Sequence, residues 1–329
     1  MKVLITTVPF GQANSFPLEM LNSSNVDYVI NPLNRKLTED ELVEMISDFE
    51  VVIAGTEPIT RKVIDNAKNL KLISRVGIGL DNVDLLAARE KGISVCYTPD
   101  APAPAVAELT IGLMLSLLRM VHVSNSQLHN GLWERKFGRR MANVTIGIIG
   151  AGRIGGRVAR KITRAFGTPR FLVNDINPDN DLSREIKLEW SSKEKIYREA
   201  DIISLHLPLT SETRNMITRQ DLLCMKSDAM IINTARGGII NEKDLFDVLK
   251  SGHLAGAAID VFEQEPYVGP LAEIERCILT AHLGSMSVDC RGQMEIEATQ
   301  KVIKYINGDL SMGDVPESEF QVQKRMVQK

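Results

Sequence analysis

Short apolar runs alternate with longer stretches of helical periodicity along the chain. The runs predict strands at residues 3–7, 51–54, 72–74, 94–96, 145–149, 170–174, 202–205, 229–233, 256–259 and 277–279. The helical pattern is clearest at residues 39–47, 105–118, 155–166, 242–251 and 292–307. Strand–helix alternation of this kind predicts an α/β fold with parallel sheets covered on both faces. The proline-dense segment Thr98-Pro99-Asp100-Ala101-Pro102-Ala103-Pro104 reads as a rigid linker that a helix does not enter. The polar tail, residues 309–329, is expected to be poorly ordered or packed on a partner.

Residues 145–149 run directly into Gly150-Ala151-Gly152-Arg153-Ile154-Gly155, a G-x-G-x-x-G between a strand and a helix. Gly150 permits the tight turn, Gly152 lets the backbone approach a pyrophosphate, and Gly155 allows close helix–strand packing. The helix N-terminus favours the phosphate charge. The next strand ends at Asp175, where a ribose-binding acid belongs in a dinucleotide site. No Arg follows within Ile176-Asn177-Pro178 to take a 2′-phosphate, so NAD is expected over NADP. A glycine motif in mid-chain implies that the cofactor domain, residues 99–284, is inserted into a discontinuous substrate domain of residues 1–98 and 285–329. The expected architecture is two doubly wound, Rossmann-like domains, the outer one flavodoxin-like, with the site in the cleft between them.

Three further segments follow apolar strands: Asn233-Thr234-Ala235-Arg236-Gly237-Gly238, the Asp260 to Pro266 stretch, and Ala281-His282-Leu283-Gly284. Ligands bind at the C-terminal ends of strands in open α/β sheets. Arg236 is suited to bind a carboxylate or carbonyl oxygen, His282 to shuttle a hydroxyl proton, and Glu265 to fix the imidazole tautomer. His206, before Pro208 at a strand end, reads as structural or cofactor-lining rather than catalytic.

With the glycine motif, these segments resemble the D-isomer-specific 2-hydroxyacid dehydrogenases, which include phosphoglycerate dehydrogenases. The resemblance spans about residues 1–310 and takes in Arg75-Val76-Gly77-Ile78-Gly79-Leu80-Asp81-Asn82, Ala107-Glu108 and His206-Leu207-Pro208-Leu209-Thr210 with Thr213. It implies an NAD-dependent oxidoreductase moving a hydride to or from C2 of a small 2-oxo or 2-hydroxy acid, with D-stereochemistry. It also implies a catalytic set of Arg236, Glu265 and His282. Arg75 and the amides of Val76, Gly77, Ile78 and Gly79 would bind substrate. Asp260 and the Ala235 carbonyl would orient the nicotinamide, and His206, Leu207, Pro208 and Thr213 would line the cofactor. The family usually dimerises through the cofactor domain and an arm, here roughly residues 105–140, so a homodimer is expected. In phosphoglycerate dehydrogenases the position of Ala54 is commonly an Arg that binds the substrate phosphate. Here that cation is missing and Glu57 adds charge nearby, so a smaller, less anionic acid is expected, with phosphoglycerate the alternative. Glu57 could instead only cap the following helix. Ile78 stands where phosphite dehydrogenases carry a Lys, which argues against phosphite. A second class remains, an NAD-sensing binding protein like the corepressors that keep the same triad.

Composition narrows the setting. A net charge of −3 favours neither nucleic acid nor an anionic membrane. Four scattered cysteines without a C-x-x-C spacing give no disulfide or metal framework, and a cytoplasmic location is expected.

Overall fold

The computed structural model describes residues 1–311, 313 and 315–327. The chain forms two compact units, one of Met1–Pro102 with Ser285–Lys329, the other of Ala103–Gly284.

In chain order the first unit holds β1 (Lys2–Ile5), α1 (Phe16–Ser23), β2 (Asp27–Ile30), α2 (Glu39–Ile46), β3 (Val51–Ala54), α3 (Arg61–Asn66), β4 (Leu72–Arg75), α4 (Leu85–Glu90) and β5 (Ser94–Tyr97). The second unit follows with α5 (Ala103–Leu118), α6 (Val121–His129), β6 (Thr145–Ile149), α7 (Gly155–Phe166), β7 (Arg170–Asn174), α8 (Asn180–Glu185), β8 (Glu189–Trp190), α9 (Lys193–Glu199) and β9 (Ile202–Leu205). It is completed by α10 (Arg219–Cys224), β10 (Met230–Asn233), α11 (Glu242–Ser251), β11 (Gly256–Ile259) and β12 (Cys277–Leu279). The chain then returns to the first unit as α12 (Val288–Ile306) and α13 (Glu317–Val327).

Both sheets are parallel throughout. The first unit has five strands in the order β2-β1-β3-β4-β5; the second has seven, β12-β11-β10-β9-β6-β7-β8. Strands buried on both faces need apolar residues at every position, and the central ones have them: Val51-Val52-Ile53-Ala54 is buried at all four positions. The topological switch points, where ligands enter open sheets, lie between β1 and β3 in the first unit and between β6 and β9 in the second. Helix starts are fixed by side chains. Thr38 and Glu41 form a capping box on α2, and Asp84 and Asn241 cap α4 and α11.

Two expectations are corrected. α5 begins at Ala103 and takes Pro104 into its first turn, where the missing N–H costs nothing. Within the tail, residues 317–327 form α13, which packs on α4 of its own unit, with Val315 and Phe320 in that unit's core. No single helix among the described residues is long and apolar enough to cross a membrane.

Candidate active site

In the second unit the turn after β6 is built by steric exclusion. Gly150 has φ +94°, and a Cβ there would lie 2.3 Å from the His206 carbonyl oxygen. A Cβ on Gly155 would lie 2.0 Å from the Gly150 carbonyl oxygen, so α7 starts against the turn itself. Gly152 faces open space, with no atom within 4 Å of where a side chain would begin. Larger residues at the first and third glycines would unseat the helix, whereas the second leaves room for a ligand to approach the backbone.

Asp175, after β7, closes this turn. One carboxylate oxygen accepts from the Ala151 N–H at 2.7 Å and the other from the Asn177 N–H at 2.8 Å. A carboxylate offers about four acceptor positions, so capacity remains for ribose hydroxyls. His206, after β9, pairs its Nε2 with Ser204 Oγ at 2.9 Å, while its buried Nδ1 has no partner. Burial lowers its pKa to about 3, so the ring is neutral and unsuited to proton shuttling near pH 7. Leu207 abuts the Gly150 turn. The Thr213 hydroxyl donates to the Pro208 carbonyl at 2.6 Å and accepts from the Thr210 N–H at 2.7 Å, holding a closed loop. The open face at Gly152, the remaining acceptor capacity of Asp175 and the unpartnered nitrogen of His206 fit a dinucleotide. Arg153 and Ile154 lie in the same turn, Arg153 exposed.

The ends of β10, β11 and β12 carry the second cluster. His282 Nδ1 lies 2.9 and 3.1 Å from the two carboxylate oxygens of Glu265, and Glu265 also accepts from the Phe262 N–H at 3.1 Å. The geometry assigns the proton on Nδ1 to the carboxylate and leaves Nε2 as the outward nitrogen. His282 sits at φ +52°, a left-handed conformation, with its N–H donating to the Asp260 carbonyl at 2.9 Å. Asp260 is fully buried. Its carboxylate accepts from Thr280 Oγ1 at 2.5 Å, Leu283 N–H at 2.7 Å and Gly284 N–H at 2.9 Å, and burial raises its pKa. Asp260 therefore ties down the loop that carries His282. Arg236 donates through Nη1 to the Ala235 carbonyl at 2.7 Å, and Asn233 Nδ2 donates to the Arg236 carbonyl at 2.8 Å. Gly237 packs so closely that a Cβ there would lie 2.0 Å from the Phe262 backbone, and this brings the Arg236 and Glu265 loops together.

In the first unit, Arg75 to Gly79 form the turn after β4. Val76 N–H donates to the Ala54 carbonyl at 2.8 Å and Gly77 N–H to Thr98 Oγ1 at 2.8 Å. Ile78 and Gly79 N–H have no hydrogen-bond acceptor among the described residues. The Arg75 side chain is buried and turned onto its own loop, with Nη1 donating to the Val76 carbonyl and Nε to Asn82 Oδ1 at 3.3 Å. Glu57 neither caps the next helix, whose N-cap is Thr60, nor is exposed. It is buried and accepts from Thr6 Oγ1 and from the Gly55 N–H at 2.9 Å. Sequence reasoning missed Asn82, Thr98 and Glu242 as organisers. Glu242, on α11, accepts from the Glu263 N–H at 2.6 Å beside Glu265, and burial raises its pKa. Their partners lie far along the chain or in loops, where periodicity gives no signal.

A doubly wound sheet with a glycine turn and ribose-side acid at its switch point, and a histidine–carboxylate pair at neighbouring strand ends, defines a nicotinamide-dependent oxidoreductase. Comparison with known proteins makes this specific. The family model described as "D-isomer specific 2-hydroxyacid dehydrogenase, NAD binding domain" matches residues 111–284. The chain is 40% identical to a hydroxypyruvate reductase of Thermotoga maritima over 278 residues, 82% of this chain and 88% of that one. It is 38% identical to a D-3-phosphoglycerate dehydrogenase of Methanocaldococcus jannaschii over 299 residues, 86% of this chain but only 56% of that one. A crystal structure of a glyoxylate reductase from Paecilomyes thermophila superposes with a TM-score of 0.84 at 30% identity, covering 97% of this chain and 99% of that one. The chain belongs to the D-isomer-specific 2-hydroxyacid dehydrogenase family. It is an NAD-dependent oxidoreductase, and its family acts on small 2-hydroxy and 2-oxo acids.

Proposed function

We propose that this enzyme reduces a small, unphosphorylated 2-oxo acid, with His282 as acid/base, Glu265 as its orienting partner and Arg236 as the group that binds and polarises the substrate. The observation that carries the reading is the His282–Glu265 pair, which leaves Nε2 directed away from the carboxylate. NAD supplies the hydride chemistry at C2 when bound. The protein supplies the proton: Nε2 of the imidazolium donates to the oxygen on C2, and Glu265 stabilises the charged ring beforehand. In the oxidative direction Nε2 takes the hydroxyl proton. The Ile78 and Gly79 amides would hold the substrate carboxylate. The glycine turn of Gly150, Gly152 and Gly155 would hold the pyrophosphate and Asp175 the ribose, with its charge repelling a 2′-phosphate. The last acceptor position on Asp260 and the Ala235 carbonyl would orient the carboxamide.

The substrate side follows from what charges the first unit commits. Ala54 brings no cation, Arg75 is turned onto Val76 and Asn82, and Arg291 pairs with Glu295 at 2.6 Å in the interior. A dianionic phosphate needs several cationic donors, and these arginines are engaged by protein groups. The names of two similar proteins, hydroxypyruvate reductase and glyoxylate reductase, point the same way. An NADH-oxidation comparison of hydroxypyruvate, glyoxylate, pyruvate and 3-phosphohydroxypyruvate tests this. The unphosphorylated acids should show the higher kcat/KM. A preference of about tenfold or more for the phosphorylated acid, worth about 1.4 kcal/mol, would restore the phosphoglycerate reading. No turnover of any 2-oxo acid would favour a cofactor-sensing binding protein. We further propose a homodimer built on the cofactor domain and the arm of roughly residues 105–140, and a cytoplasmic location, the latter supported by four unpaired cysteines of which three are buried.

A further inference from the structure

The strand-end turn that offers the Ile78 and Gly79 amides is held from an unexpected direction. Residues 80–85 follow it and are woven to the loop before α3. Ile59 N–H donates to the Asn82 carbonyl at 2.7 Å, Asp84 N–H to the Ile59 carbonyl at 2.9 Å, and Asn82 Nδ2 to the Glu57 carbonyl at 2.7 Å. Gln323, on α13, binds the same segment at three points. Its Oε1 accepts from the Leu85 N–H at 2.8 Å, and its Nε2 donates to the Val83 carbonyl at 2.6 Å and the Leu80 carbonyl at 3.4 Å. Leu80, Val83 and Leu85 are all buried. The bonds therefore satisfy backbone groups that water does not reach, including a first-turn N–H of α4 that no helix partner can take.

α13 is itself anchored. Arg89 of α4 pairs with Glu317 at 2.7 Å and stacks over the Phe320 ring, and Phe320 lies in the core. An exposed ion pair contributes little alone, but the buried ring fixes the helix register that brings Gln323 to the loop.

We propose that Gln323 is a positioning residue for substrate binding: its side-chain amide sets the conformation of residues 80–85, and through them the turn that presents the Ile78 and Gly79 amides to the substrate carboxylate. The proposal rests on the assignment of that turn to the carboxylate. It also gives the polar C-terminal helix a role in the reaction. Orienting groups displaced by a fraction of an ångström lose binding without altering the chemistry elsewhere.

The test uses the full-length enzyme, its best 2-oxo acid and three variants, Gln323→Ala, Gln323→Glu and Gly77→Ala. Gln323→Ala should raise KM for the acid about tenfold, leaving kcat and NADH affinity near wild type. Gln323→Glu keeps the acceptor for Leu85 but sets a carboxylate oxygen against the Val83 and Leu80 carbonyls in place of the two donated bonds, and should raise KM at least as much. Amide exchange over residues 76–85 should quicken in the Ala variant and not over the glycine turn at 150–155. Gly77→Ala alters the turn directly, because Gly77 has φ +138° and a Cβ would lie 2.2 Å from the Arg75 guanidinium. A raised KM in Gly77→Ala with wild-type KM and exchange in Gln323→Ala overturns the tether and leaves the carboxylate assignment standing. Unchanged KM in Gly77→Ala overturns the carboxylate assignment. A lowered melting temperature in both Gln323 variants with no change in KM reduces Gln323 to a structural contact and overturns the proposal.

Discussion

His282 is held in a conformation that L-residues avoid, at a cost of about 1–2 kcal/mol. The loop accepts that cost because the Asp260 carboxylate gathers Thr280, Leu283 and Gly284 around it. Strain of this kind persists only where the surroundings over-determine it, and here it sets the imidazole against Glu265. Removing the ring should abolish the proton relay and leave the glycine turn untouched. His282→Ala is therefore expected to lower turnover by roughly 10²–10⁴, while NADH affinity, read by fluorescence titration, stays within about twofold of wild type. Wild-type turnover in that variant would remove His282 from the mechanism. The His282–Glu265 pairing was legible in the sequence because both residues lie in segments that follow an apolar run. That the Val76 and Gly77 amides are already engaged was not legible, since their acceptors, Ala54 and Thr98, are distant in the chain.

At the scale of elements, the legible strands are mostly the interior ones. β3, β6, β7, β9 and β11 run over the residues expected of them, because burial on both faces demands unbroken apolar runs. β12 also runs as expected although it is an edge strand, with Cys277 in the core. β2 was missed: Asp27-Tyr28-Val29-Ile30 is an edge strand, mostly exposed, with no pattern imposed by a core. β8, only two residues long, was missed for the same reason. α13 reads as polar tail because, among its described side chains, Phe320 alone is buried. The packing of β6, β9 and α7 makes a prediction of its own, through His206. Its pKa falls from the ordinary 6.5 to about 3 in the folded protein. The unfolded chain binds a proton below about pH 6.5 that the folded chain refuses, so stability rises with pH across this window and is lost on acidification from about 6.5 toward 3. Between pH 6.5 and 5 the loss should be roughly 2 kcal/mol, measured by urea unfolding. His206→Asn should be the flatter of the two over that interval. Parallel profiles would show that the ring does not control the acid sensitivity of this turn.

For the whole molecule, the mid-chain glycine motif is the signal behind the expected inserted order; the seven-stranded sheet begins at Thr145, the five-stranded sheet lies wholly before residue 98, and the C-terminal end adds only helices to that unit. What the sequence could not display is which apolar residues stay uncovered. Val121, Leu128, Leu132, Trp133 and Phe137 all lie exposed within seventeen residues of α6 and the segment after it, Trp133 at 81% and Phe137 fully. A single exposed leucine means nothing, but five exposed apolar residues so close in sequence, two of them large aromatics, are the kind of surface that a partner covers. The same stretch falls within the arm, roughly residues 105–140, through which the proposed homodimer would form, and a second copy of the chain is the proposed partner. Each large apolar side chain fully buried contributes about 1.5–3 kcal/mol, and a two-fold interface uses each twice. The double variant Trp133→Asp with Phe137→Asp removes four such side chains from the dimer and buries charge in their place. Dissociation should then strengthen by at least about three orders of magnitude. Sedimentation equilibrium at micromolar concentration should report twice the 36.5 kDa chain mass for wild type and the single mass for the variant. A wild-type protein that stays at the single mass up to about 100 µM, a concentration where even a 1 µM dimer would be nearly complete, would leave these aromatics for another partner.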